Sequence, residues 1–274
     1  MSIAERLRSR GLSPKKRFGQ NFLVDVSASR AIAEAATTPP GGTVLEIGPG
    51  LGALTRPLLE RAAKIVAIER DRDLVPLLSA ELEAPIGEGR VSILEADALA
   101  VDWAAELVGP RPHVLAGNLP YQITGALLER ATGLADRIDR AVFMVQAEVA
   151  DRLVAPPGSK TYGALSVFMQ AAFDVKRLLT VRGGAFYPRP DVDSAVVVLA
   201  PHRPPRAAET EAFRAAVRAA FGARRKTLRN AWRGLYGWSK DDLEARAREA
   251  GISLDARGET LAVEDFARIA AMKG

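Results

Sequence analysis

At 274 residues the chain has room for one large domain, or for a large domain with a small one. Hydrophobic residues make up 48% and charged residues 26%, with Gly and Pro scattered along the chain, so neither a disordered nor a fibrous protein is expected. There is no Cys, which excludes disulfides, thiolate zinc sites and Cys nucleophiles and fits a reducing cytoplasm. No apolar run is long enough to span a membrane and no hydrophobic stretch follows the basic N-terminus, so neither a membrane helix nor a secretory signal is expected. The net charge of +5 is unevenly spread: residues 1–30 carry seven Lys/Arg against two Asp/Glu, residues 31–200 sixteen against twenty-one, and residues 201–274 fifteen against ten. A mildly acidic body with two basic ends fits a polyanionic partner, although ordinary solvated charge would give the same numbers.

In chain order, the segment that begins at Ser27 has a capping Ser ahead of apolar positions at helical spacing and predicts a helix. Residues 43–47 form a β-rich run ending at Gly48, and a helical pattern follows from Leu51 to about Ala62. The alternation repeats: a strand at 64–69, a helix to about Leu82, strands at 91–95 and 113–117, a helix from about Thr124, and a strand at 141–145. Strands alternating with helices predict βαβ units and a doubly wound parallel sheet. Two more strands, at 174–181 and 194–199, lack an obvious helix between them and are expected to finish the sheet as an antiparallel pair. Three prolines within residues 201–206 mark a linker. Beyond it the pattern is helical over 209–221, 226–235, 239–250 and 263–270. The expected organisation is a basic N-terminal arm over 1–26, an α/β domain over 27–200 and a small helical domain over 201–274.

Four places carry candidate chemistry. Glu46 precedes a turn with glycines at positions 48, 50 and 52, between a strand and a helix, where backbone can pass close to a ligand. The spacing departs from the dinucleotide fingerprint, because Ala53 follows Gly52. Glu69 ends the next strand, 21 residues after Gly48, and can accept hydrogen bonds from both hydroxyls of a ribose. Asp97 ends the third strand, as an acceptor for an adenine amino group or as a helix N-cap. The fourth strand runs into Asn118, Leu119, Pro120 and Tyr121. Pro120 holds this loop extended, so that the Asn amide oxygen and the Leu or Pro carbonyl can converge beside a Tyr ring. That is a seat for a planar amino group. An exocyclic base amine is a poor nucleophile until acceptors on its hydrogens favour the form that exposes its lone pair. His113 and His202 have no partner at metal-ligand spacing, so no metal role is expected.

The motifs at residues 19–23, 46–52, 117–121, 186–195 and 224–230 occur together and in order over roughly residues 15–270. The chain thereby resembles the bacterial small-subunit (16S) rRNA adenine N6-dimethyltransferases. The resemblance implies a Rossmann-like class I methyltransferase sheet with a small C-terminal helical domain. It implies S-adenosyl-L-methionine as cofactor and dimethylation of two adjacent adenosines in the 3′-terminal hairpin loop of 16S rRNA during small-subunit biogenesis. Residue by residue, it implies that Asn21, Leu23, Gly48, Glu69, Asp97 and Asn118 hold the cofactor. Asn118 would lie between cofactor and target amine, with Tyr121 and Phe186 sandwiching an adenine drawn out of its stack. A loop aromatic pinned by Pro188 and Pro190 is the other reading of Phe186. Arg224, Arg225, Lys226 and Arg229 would contact rRNA, with Arg225 and Arg229 one helical turn apart. The implied partner is 16S rRNA in the 30S subunit or its precursor, and the enzyme is expected to be cytoplasmic and monomeric.

The nearest rival is the 23S rRNA adenine methyltransferase of the macrolide-resistance type, which shares fold and chemistry. The form of the glycine turn, Leu119 within the Asn-Leu-Pro-Tyr motif and the Arg-Arg-Lys-Thr segment at 224–227 stand against it. An RNA-binding assembly factor with a relic cofactor site is disfavoured because Glu69, Asp97 and Asn118 are all retained. A nicotinamide-dependent oxidoreductase is disfavoured by the glycine spacing.

Overall fold

The computed structural model describes residues 2–223 and 225–273. The chain divides into two compact units, Met1–Ala150 with Lys176–Ala200, and Asp151–Val175 with Pro201–Gly274. Among the described residues no helix is long and apolar enough to cross a membrane.

The first unit begins with a short helix, α1 (Ile3–Arg8), closed by a capping box between Ser2 and Glu5. Its Leu7 is buried in an apolar cluster with Phe22, Leu51 and Leu74, so the basic arm is packed against the body at Leu7 and at Phe22. Strand β1 (Phe22–Leu23) leads into α2 (Val26–Ala36). The cap of α2 is Asp25, whose carboxylate accepts from the Ser27 and Ala28 amides at 2.8 and 3.0 Å. The sequence pointed to Ser27, but the helix starts earlier, and Asp25 takes the first free amides instead.

Then follow β2 (Thr43–Ile47), α3 (Thr55–Leu59), β3 (Lys64–Glu69), α4 (Val75–Glu81), α5 (Glu83–Gly87), β4 (Val91–Glu95), α6 (Trp103–Glu106), β5 (His113–Asn118), α7 (Thr124–Thr132) and β6 (Arg140–Gln146). The order β4-β3-β2-β5-β6 is parallel throughout, and every residue of β2 is buried, as a strand covered on both faces requires. The chain winds outward from β2 to β4 and then returns to the other side of β2 with β5. This reversal opens a crevice beyond the carboxyl ends of β2 and β5. At Gly117 a Cβ would lie 2.6 Å from the Ile47 carbonyl, so the approach of β5 to β2 there admits only glycine.

Helix α8 (Ala147–Leu153) carries the chain across the unit boundary, and α9 (Ala164–Ala172) lies in the second unit. Strand β7 (Phe173–Val181) returns to the sheet, β8 (Phe186–Tyr187) pairs with β1, and β9 (Ser194–Pro201) runs antiparallel to β6. The full order is β4-β3-β2-β5-β6-β9-β7, so the final two strands close the sheet with β9 inserted before β7.

The second unit holds α9, α10 (Glu211–Gly222), α11 (Leu228–Ala231), α12 (Lys240–Glu249) and α13 (Val263–Ala271) around Phe213, Trp232 and Phe266. Residues 151–175 belong with it, so the expected boundary at 200/201 is only one of the crossings. The apolar face of α9 meets a core built mostly from residues about forty to a hundred positions later, which no local pattern reveals. The helix expected over 226–235 is a single turn, because Gly234 and Tyr236 take left-handed backbone angles of 73° and 56°.

Candidate active site

The crevice beyond β2 and β5 is a deep cleft within the first unit, and its walls include Asn21, Leu23, Gly48, Glu69, Asp97, Asn118 and Tyr121. They arrive from the arm and from the carboxyl ends of β2, β3, β4 and β5. The glycine turn after β2 takes positive φ at Gly48, Gly50 and Gly52. At Gly50 the constraint is double, since a Cβ would also press within 3.2 Å of the Phe22 ring. Phe22 comes from the arm, so the arm seals the outer side of this turn.

Glu69, at the end of β3, is 6% exposed. One carboxylate oxygen accepts the Gly50 amide at 3.0 Å and the other accepts the Asp71 amide at 2.8 Å. Burial pushes its pKa up, against the pull of those amides. Each oxygen keeps a second lone pair, and a pair of vicinal hydroxyls is a matching ligand. Asp97 follows β4; its Oδ1 accepts the Leu99 amide at 2.9 Å and its Oδ2 pairs with Arg70 at 3.3 Å. It therefore closes a turn rather than capping a helix, since Asp102 caps α6, and it still lines the cleft.

Glu46 lies inside β2 at 1% exposure, and burial raises its pKa to about 8, with the Glu69 charge adding to the shift. Thr55 is near enough to oppose that shift, yet neither Glu46 Oε2 nor Thr55 Oγ1 completes a hydrogen bond. Burial thus keeps this carboxyl on the cleft wall protonated at neutral pH, with one oxygen unused among the described residues.

Asn118 ends β5. Its Nδ2 donates to the Asn21 carbonyl at 3.0 Å, which fixes the amide and leaves Oδ1 as an acceptor. The Leu119 amide donates to Met144 at 3.0 Å, and the Pro120 carbonyl already takes the Ile123 amide at 3.2 Å and the Thr124 hydroxyl at 2.9 Å. Among the described residues no hydrogen bond is made to the Leu119 carbonyl. Of the two carbonyls considered from sequence, Leu119 is thus the one with acceptor capacity to spare. Tyr121 is half-buried on the same wall, and its hydroxyl lies 2.7 Å from Ser194 Oγ.

Phe186 is placed differently. Its ring is 4% exposed within an apolar cluster that also holds Leu23, Val181 and Val196, and it does not line the cleft. Residue pairing across β1 and β8 sets Phe186 opposite Leu23 and the exposed Tyr187 opposite Phe22. Of the basic residues singled out, Arg224 lies outside the described residues. Arg225 and Lys226 are exposed and precede α11, so Arg225 and Arg229 do not share a helix. Arg229 is bound by Glu244 at 2.7 Å and Asp255 at 3.2 Å.

Sequence reasoning missed the groups that hold the arm across the cleft mouth. Lys15 pairs with Asp71 and Asp73, and Gln20 donates to Asp71 at 2.7 Å. The Phe18 ring faces the cations of Lys15, Arg17 and Arg70 at 5.7, 4.8 and 5.5 Å. The charged run at 69–73 carried a signal, but its partners lie more than fifty residues away.

A family model described as ribosomal RNA adenine dimethylase matches residues 11–273. The ribosomal RNA small subunit methyltransferase A of Syntrophotalea carbinolica is 46% identical over 259 residues, covering 94% of this chain and 96% of its own. That of Moorella thermoacetica is 44% identical, with 96% and 93% covered. Among solved structures, the 23S rRNA methyltransferase ErmE superposes with a TM-score of 0.68 at 28% identity, covering 92% of this chain and 98% of its own. A dimethyladenosine transferase from Plasmodium falciparum gives 0.74 at 24% identity, with 90% and 95% covered, a likeness of fold.

Proposed function

The chain belongs to the ribosomal RNA adenine dimethylase family, and from that premise we propose that it dimethylates N6 of two adjacent adenosines in the 3′-terminal hairpin loop of 16S rRNA. The substrate form is the 30S subunit or its precursor, and the enzyme works in the cytoplasm as a monomer. The observation that carries the reading is the Asn118 amide, anchored by Asn21 so that its oxygen is presented on the cleft wall beside Leu119 and Tyr121.

S-adenosylmethionine, when bound, supplies a methyl group on a positively charged sulfur for the base amine to take up. The residues present fit it: Glu69 has lone pairs for ribose hydroxyls, and Asp97 stands at the strand end for the adenine. Asn21 and Leu23 from the arm and Gly48 from the turn complete the wall.

Asn118 Oδ1 and the Leu119 carbonyl accept the two N6 hydrogens, which orients the amine lone pair outward without a strongly basic residue. Tyr121 offers a face for the flipped purine, and a base–aromatic contact of about 1–3 kcal/mol offsets much of the cost of unstacking. Phe186 is the proposed second face, and reaching the base requires it to leave its apolar cluster. Positioning is the main catalytic effect, of a kind that can lower a barrier by about 7–11 kcal/mol. Arg225 and Lys226 are the exposed cations proposed for the RNA backbone.

The small-subunit reading is favoured over the 23S one by relatives at 42–46% identity that carry the small-subunit name, against 28% for ErmE. Labelled cofactor supplied with 30S subunits lacking the modification, and separately with naked 23S rRNA, tests the choice. Label in 30S alone is expected; label in 23S rRNA alone reverses it.

A further inference from the structure

Ser194 takes no part in the roles above, yet it is fully buried and its hydroxyl points to a side chain on the cleft wall. It opens β9, where it stands opposite Gln146 at the carboxyl end of β6. Its backbone is held on the N-terminal side. The Asp193 carbonyl accepts the Ala147 amide at 2.9 Å, and Asp193 Oδ1 accepts the Gly183 amide at 3.0 Å. The Ser194 hydroxyl therefore sits on a fixed frame, 2.7 Å from the Tyr121 phenol oxygen.

The Tyr121 ring starts from the short turn after Pro120, whose own carbonyl is tied down by Ile123 and Thr124. Backbone anchors hold the near end of the ring. A hydrogen bond at the far end removes the remaining freedom to tip about χ1, and that tip sets the plane offered to a stacked base. Burial, with the nearby Asp193 charge, keeps the phenol protonated against the opposing pull of Ser194, so the link is a neutral hydrogen bond across the physiological range.

We propose that Ser194 is a positioning residue for methyl transfer, fixing the Tyr121 ring in the plane against which the target purine stacks. The inference rests on the reading of Tyr121 as the base-stacking wall. Its consequence is specific: the two hydroxyls act as one unit, so deleting either has the same effect as deleting both. The loss falls on turnover of RNA and leaves cofactor affinity intact, because the hydroxyl pair makes no contact with Glu69, Asp97 or the glycine turn.

A double-mutant cycle tests it. Ser194→Ala, Tyr121→Phe and the double variant are assayed on 30S subunits lacking the modification, with kcat, KM and the Kd of S-adenosylmethionine measured for each. Each single variant is expected to lower kcat about three- to tenfold, the double variant to match the singles, and cofactor Kd to stay within twofold. Multiplying losses, a wild-type rate in Tyr121→Phe, or a change in cofactor Kd that parallels the rate would overturn the proposal. Tyr121→Phe keeps the test decisive if Ser194→Ala folds poorly. Tyr121→Ala separates the two levels: full activity in that variant removes the stacking reading itself, whereas lost activity there with unaffected Tyr121→Phe removes only the role of Ser194.

Discussion

Glu46 and Glu69 are carboxyls of opposite habit at one turn. Glu69 spends a lone pair of each oxygen on a backbone amide, whereas Glu46 is enclosed with an oxygen that no group among the described residues satisfies. Burial carries Glu46 from an ordinary value of 4.5 to about 8. The folded chain then holds a proton that the unfolded chain releases above pH 4.5, so this carboxyl's contribution to stability is full below that pH and is lost as pH rises toward 8. Glu46→Gln, neutral at every pH, is expected to melt higher than the parent at pH 8–9 and nearly level with it at pH 5, when both are scanned without cofactor. An equal difference at both pH values would show that Glu46 is ionised in the fold. Glu69→Gln should weaken S-adenosylmethionine binding at least tenfold by calorimetry, since an amide cannot replace two acceptor oxygens that also hold Gly50 and Asp71. These roles were unequally legible. Glu69 and Asn118 stand at strand ends that periodicity locates. The burial of Phe186 is set by which face of a two-residue ladder meets the core, and no pattern over two residues records that.

The arm and the sheet show the same contrast between elements. The parallel strands were readable because each is a short β-rich run bounded by turns, and the reversal at β5 follows from winding rules once the strands are placed. The arm's helix was not, because six residues with one buried Leu give no periodic signal. What holds it is remote: Leu7 and Phe22 enter a cluster with Leu51 and Leu74, and Lys15 meets Asp71 and Asp73. Burial pushes the Asp71 carboxyl up, but hydrogen bonds from Lys15, Gln20 and the Asp73 amide outweigh it and hold the carboxyl below its ordinary value. The link is therefore intact above about pH 4 and weakens as pH falls through the lowered pKa. The double variant Asp71→Asn with Asp73→Asn removes both ion pairs of Lys15 while keeping the shape. It is expected to speed tryptic cleavage at residues 15–17 and to weaken cofactor binding several-fold. Unchanged cleavage would mean that the apolar cluster alone holds the arm.

Across the whole molecule, the +5 charge is a balance between a basic arm, an acidic body and a basic C-terminal region. The structure reassigns part of that surplus. Lys15 and Arg17 of the arm face Phe18, Lys15 also pairs with Asp71, and Arg229 is neutralised by Glu244 and Asp255, so these three are poorer candidates for RNA than their charge implied. Replacing Arg225 and Lys226 together by Gln should weaken 30S binding and flatten its salt dependence by about 0.7–0.9 logarithmic units per lost contact, with cofactor affinity unchanged. Arg229→Gln should alter the melting temperature more than the salt slope. The most direct measurement of the central claim is nucleoside mapping of 16S rRNA after incubation of unmodified 30S subunits with the enzyme and S-adenosylmethionine. N6,N6-dimethyladenosine is expected at two adjacent positions of the 3′-terminal hairpin, and none with Asn118→Ala although that variant still binds cofactor. Methylation elsewhere, or undiminished methylation by Asn118→Ala, would contradict that claim.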